Sequence, residues 1–197
     1  MVARSTTKGN PDGSKTGRPA ASNRPKTAII KVTEVLASSD TFTATMGTYN
    51  GTPALIKLFS PDSTRMAAYG NEVAAYRQLK AEQQEGIIPR KLGHGPFCGG
   101  TCYLATGLIQ GVPLSRVARP ARQQAAAAAV AAVQRLHRVP GFLHGSLHLG
   151  NIMVPHPPEG RDTDVRCVVL ELGGSRFDAT PAEQRREMKE LESRLNH

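Results

Sequence analysis

Tryptophan is absent from this 197-residue chain, and aromatic residues of every kind supply only 5% of it. A stacking platform for single-stranded nucleic acid therefore has little to be built from. Cysteine is nearly absent too. Three cysteines, an odd number, give no disulfide framework and suit a reducing compartment. Cys98 and Cys102 flank a Gly-Gly-Thr with His94 just upstream, but no second ligand pair is evident for a metal, and the two cysteines read more simply as neighbours across a hairpin. Long apolar runs are missing: nothing approaches the roughly eighteen residues that span a bilayer, and no secretory apolar segment opens the chain. No membrane span is expected, and a hydrophobic content of 39% over 197 residues suits one soluble domain, or a compact domain with a tail.

Acidic residues are scarce at the start. Residues 1–26 hold only Asp12 against six Lys and Arg, so they carry +5 of the net +9. This reads as a disordered basic tail. It has no aromatics and no amphipathic period, which weighs against nucleic acid as a partner. Its acid-poor composition also allows an organelle transit peptide in an otherwise intracellular, cytoplasmic or nuclear protein. Gly9 to Thr16 nearly spells a phosphate-binding loop, but Ser14 stands where the glycine before Lys15 is required, and no apolar strand leads into it.

From Ala28 the chain turns strand-like. Ala28–Leu36, Phe42–Thr48 and Pro53–Phe59 are candidate strands, with Asn50-Gly51 a turn between the last two. Asp62 and Ser63 can cap a helix over Arg65–Glu82, in which Met66, Val73, Tyr76 and Leu79 share a face and Glu72 borders it. Residues 87–94 lead to a glycine-rich turn, and Cys102–Ile109 is a further strand. Arg122–Arg138, with five consecutive alanines and Val130, Val133 and Leu136 on one stripe, is a helix on propensity alone. Ile152–Val154 and Arg166–Leu170 form a strand pair around a polar, proline-rich turn. Thr180-Pro-Ala-Glu183 is a capping box opening a last helix striped by Met188, Leu191 and Leu195.

The stretch His144-Gly-Ser-Leu-His-Leu-Gly-Asn151 resembles the catalytic loop of the protein-kinase-like superfamily, in the HGDLHxGN form of small-molecule and atypical kinases. Other stretches extend the resemblance in the family's order. Ala54-Leu-Ile-Lys57 is similar to the strand that carries the phosphate-binding Lys, Asn71-Glu72-Val73 to the helix whose Glu pairs with it, and Gln110–Leu114 to the hinge between lobes. Glu171-Leu-Gly173 stands at the metal-binding DFG. The resemblance implies an α+β, two-lobed protein-kinase-like fold: an antiparallel-sheet N-lobe with one helix over 27–109, and a truncated, mainly helical C-lobe over 110–197.

It also implies ATP and Mg²⁺ as ligands, with Lys57, Glu72, Leu55, Gly107 and Ile109 around the nucleotide and Asn151 and Glu171 at the metal. The departures bear on activity. Ser146 stands where the family has its catalytic Asp, and a Ser hydroxyl near neutral pH cannot accept a substrate's proton. Ser38, Asp40 and Thr43 replace the three glycines of the phosphate-covering loop when Phe42 is set at its tip, and Leu55 replaces the small residue over the adenine. Gly145 replaces an Arg that many protein kinases use in regulation. The reading is a degenerate, pseudokinase-like domain with weak or no phosphotransferase activity, acting through nucleotide binding or protein contacts. One alternative is an active phosphotransferase using Lys57, Asn151 and Glu171, and another is a basic nucleic-acid-binding adaptor. No particular protein partner is implied.

Overall fold

The computed structural model describes residues 28–156 and 165–196. The basic tail and most of the 155–163 turn lie outside the described residues. Five strands, β1 (Ile30–Ser38), β2 (Thr43–Tyr49), β3 (Thr52–Phe59), β4 (Lys91–Pro96) and β5 (Cys102–Gly107), form one antiparallel sheet in the order β1-β2-β3-β5-β4. Asn50 and Gly51 close the β2–β3 hairpin with φ of 49° and 82°, the conformation a two-residue turn of this hand requires. Side-chain alternation along β3 divides the sheet's faces. Ala54 and Ile56 pack with Tyr103 and Ala105 on the outer face, whereas Lys57 and Phe59 point toward helix α1 (Ser63–Gln78) and the main core.

Helix α1 is capped as the sequence suggests, with Asp62 accepting from Arg65 N at 2.9 Å. The expected single helix to Glu82 is instead broken at Leu79, where ψ of 45° separates α1 from the short α2 (Lys80–Gln84). The break leaves Leu79 fully buried. Gln83 repairs it, its side-chain amide donating to the carbonyls of Tyr76 and Leu79 at 2.6 and 3.2 Å. The stretch expected only to lead into the glycine-rich turn proves from Lys91 on to be an edge strand, β4. It is irregular in register near Gly93, whose hypothetical Cβ would fall 2.2 Å from the Tyr49 hydroxyl.

Beyond β5 the chain forms a three-stranded sheet of β6 (Gly111–Pro113), β7 (Ile152–Pro155) and β8 (Val168–Val169), accompanied by α3 (Arg119–His137) and α4 (Pro181–Asn196). Helix α3 starts three residues before the expected Arg122, with Pro120 in its first turn, a position where a missing N–H costs nothing. Its alanines are no low-complexity spacer: Ala125, Ala129 and Ala132 are buried beside Val133 and Leu136. The α4 capping box forms in both directions, Thr180 N donating to Glu183 at 2.8 Å and Glu183 N to the Thr180 hydroxyl at 3.3 Å. Among the described residues no helix is long and apolar enough to cross a membrane.

Candidate functional site

Lys57 lies on the core-facing side of β3, and Glu72 lies on the face of α1 turned toward it. Lys57 Nζ donates to both Glu72 oxygens, at 2.8 and 3.0 Å, and both residues are buried. Glu72 Oε1 also accepts from Leu172 N at 3.4 Å, and Asn71 donates to Gly173 O at 3.2 Å. One face of α1 thus fastens the sheet to the Glu171-Leu172-Gly173 segment.

The His144–Asn151 loop is held from several sides. His144 is fully buried; its Nδ1 accepts from Ser146 N at 3.4 Å, so Nε2 carries the proton and donates to Leu170 O at 2.8 Å. Burial holds the His144 pKa below its ordinary value, against the pull of the Leu170 carbonyl and nearby carboxylates. It is a neutral strut. Asn151 is buried as well, with its side-chain amide Nδ2 donating to Ser146 O at 3.0 Å and its backbone carbonyl accepting from Leu170 N at 2.8 Å. That fixes the amide plane and leaves Oδ1 as the acceptor.

Helix α4 fastens the same loop from below. Glu187 accepts from Gly145 N at 2.8 Å, His144 N at 3.3 Å and His137 Nε2 at 2.8 Å. Gln184 donates to Phe142 O and Arg194 to Leu147 O, both at 2.8 Å. Burial opposes ionisation of Glu187, but these bonds outweigh it and hold its pKa below the usual carboxylate value. A cavity of about 420 Å³ lies between loop and helix, bordered by Ser146, His148, Glu183, Glu187 and Glu190.

Glu171 sits with φ 60° and ψ 75°, left-handed backbone that a non-glycine residue adopts at a cost of roughly 1–3 kcal/mol. The neighbours enforce it: Leu170 is bonded at both its N–H and its carbonyl, Leu172 N is held by Glu72, and Ser175 N and its hydroxyl return to Leu172 O.

The remaining expected residues are Leu55, Gly107 and Ile109. Leu55 is half-buried and opposite Thr106 in the ladder. Gly107 N is already committed to Arg90 O at 2.8 Å, and Gln110 O to His156 N at 2.9 Å. Ile109 borders a cavity of about 520 Å³ with Ile88, Arg90 and Val168, one that neither Leu55 nor Lys57 borders. Among the described residues no group of three His, Cys, Asp or Glu is arranged to hold a metal ion. His94 instead meets the Tyr69 hydroxyl at 3.1 Å.

Two contacts escape sequence reasoning. The Phe42 ring lies over Lys57, 4.3 Å from Nζ to its centroid. Arg65, in the first turn of α1, binds the β1–β2 tip through Asp40 O at 3.0 Å and Ser39 O at 3.3 Å. The only signal was an Arg just inside a helix cap, which is common on any exposed helix start.

No protein-family profile and no curated protein matches the chain. Among solved structures it is similar to vaccinia related kinase 3, at a TM-score of 0.56 and 15% identity over 75% of this chain and 48% of that one. The chain thus spans about half the length of that kinase. The fold is protein-kinase-like, and likeness at this identity establishes the fold alone.

Proposed function

We propose that this protein is a degenerate, pseudokinase-like domain that binds a nucleoside triphosphate with Mg²⁺ and transfers its phosphoryl group feebly or not at all, acting through the bound state or through protein contacts. The observation that carries the reading is that, among the described residues, no free carboxylate borders the cavity beside Ser146. Each carboxylate bordering the cavity beside it is engaged: Glu183 with Thr180 and Arg176, Glu187 with His137 and two loop amides, and Glu190 with Arg186. His148 accepts from Gly150 N through Nδ1, so the nitrogen it leaves over bears the proton when the ring is neutral.

The residues fit Mg²⁺ carried on a nucleotide. Asn151 presents Oδ1, and the Glu171 carboxylate has no hydrogen-bond partner among the described residues. One carboxylate plus an amide is a usual protein share for Mg²⁺ when phosphates complete its shell. Lys57, fixed by Glu72, would meet the phosphates. Bound metal would neutralise phosphate charge; this chain's residues would hold and orient.

A thermal-shift titration with ATP, with and without Mg²⁺, tests binding, because a ligand that prefers the native state must raise the melting temperature. A Mg²⁺-dependent rise lost in Asn151→Ala is expected. No shift at any ATP concentration would defeat the proposal.

The second reading, an active phosphotransferase, is favoured by the strained Glu171 and the preset Asn151, since such strain concentrates at working sites. Robust transfer of labelled γ-phosphate to an alcohol or protein, abolished in Lys57→Ala, would establish it over the first.

A further inference from the structure

Five large hydrophobic side chains stand exposed among the described residues, and four of them cluster: Ile29, Val32, Val35 and Leu36 are 62, 44, 63 and 47% exposed. They belong to β1 and its lead-in. At nine residues β1 is the longest strand, and it forms one edge of the five-stranded sheet. Such an edge offers a row of unpaired N–H and C=O groups, which proteins ordinarily blunt with charge or proline. This one has no proline, and its charges are one Lys and one Glu.

The pairing with β2 shows which β1 residues share a face. Lys31, Glu34 and Ala37 oppose Thr48, Met46 and Ala44, on the face of Lys57, while Ile30, Val32 and Val35 oppose Tyr49, Gly47 and Thr45, on the outer face. The register shifts between Val32 and Glu34, and again between Val35 and Ala37, so Thr33 and Leu36 are extra residues, each sharing one ladder position with its neighbour.

Two antiparallel copies of one strand must meet about a dyad at which a position faces its own copy. A dyad at Lys31, or at the Thr33-Glu34 bulge, sets like charges face to face, which is destabilising. A dyad at Val32 does the opposite. It places Lys31 of each copy across from Glu34 of the other, Ile30 across from Val35, and Ile29 across from the Leu36-Ala37 bulge, every pair on a common face. Both copies bulge at equivalent positions, so neither slips against the other.

We infer that β1 is a homodimerisation edge, two copies of this chain joining β1 to β1 antiparallel about Val32 so that their sheets run on into one another. A second copy is the occupant because the strand's charges are complementary to themselves in that register and not in its neighbours.

Sedimentation analysis of the full chain over a concentration series tests this. Wild type forms a reversible dimer. Lys31→Glu and Glu34→Lys each turn two attractive facings into two repulsive ones and raise the dissociation constant roughly tenfold or more. Both residues are exposed, so thermal melting of each variant's monomer stays at the wild-type value. The double variant Lys31→Glu/Glu34→Lys recovers wild-type association, and an equimolar mixture of the two single variants forms a mixed dimer. A wild type that is monomeric throughout would overturn the inference, whether the edge is covered by residues of the same chain or by nothing. So would a dimer indifferent to both single changes, or one that the double variant and the mixture fail to restore.

Discussion

Gly145 is set by backbone geometry before any question of chemistry arises. Its φ is 78°, and a Cβ there would lie 2.2 Å from Gly174 O, so the Arg of the resembling kinases does not fit this loop. Gly145→Ala is expected to cost at least about 3 kcal/mol, from left-handed backbone and the clash together, measured by chemical denaturation. The Lys57–Glu72 pair makes a different demand. Removing one partner strands a buried charge, so Lys57→Met should cost about 3–5 kcal/mol, while Lys57→Met/Glu72→Leu should be less damaged than the single change. Equal or greater loss in the double variant would show that the pair itself, rather than the stranded charge, carries the stability. Both residues were legible in the sequence because strand and helix each place them at a position of known facing. Phe42 over Lys57 was not, since it depends on how the β1–β2 turn folds back, which no local pattern encodes.

Among elements, those with a strong period or a signed end were readable: β2 and β3 around Asn50-Gly51, α1 behind Asp62, and α4 behind its capping box. Those set by tertiary contact were not. Strand β4 has two glycines and a proline, and it exists because β5 offers a partner. The end of α1 at Leu79 follows from burying that side chain, and propensity alone carried the helix past it. Helix α4 shows the same limit, its cap legible and its grip on the loop hidden. Glu187→Gln is expected to cost about 2–3 kcal/mol, because a charged acceptor of three hydrogen bonds is lost. The folded pKa of Glu187 is depressed, so this stabilisation is complete above the ordinary carboxylate value of the unfolded chain and is lost as pH falls from there through the lower folded value. Melting curves of wild type and Glu187→Gln should therefore converge in acid; a gap constant with pH would assign the effect to packing.

At the scale of the whole molecule, the order of the Lys57 strand, the Glu72 helix, the His144–Asn151 loop and the Glu171-Leu-Gly173 segment was enough to read a kinase-like architecture, because their succession constrains topology more than any one motif does. Whether the parts would work together on a nucleotide was less accessible. Ser146→Asp should leave single-turnover transfer from labelled ATP nearly unchanged, since the hairpin tip without glycines stays tied to Arg65 and groups that act as a unit do not recover singly. A rise of about a thousandfold, on the order of 4 kcal/mol in the barrier, would instead show a site disabled at one residue. The grip of α4 also carries a consequence in time. The bonds from Gln184, Glu187 and Arg194 to Phe142, His144, Gly145 and Leu147 join positions 42 to 47 residues apart. During synthesis the loop is made well before its clamp, and it waits in the open until α4 emerges and folds against it. Contacts of such long separation are commonly formed late, so Glu187→Gln should mainly hasten unfolding and leave the refolding rate close to that of wild type.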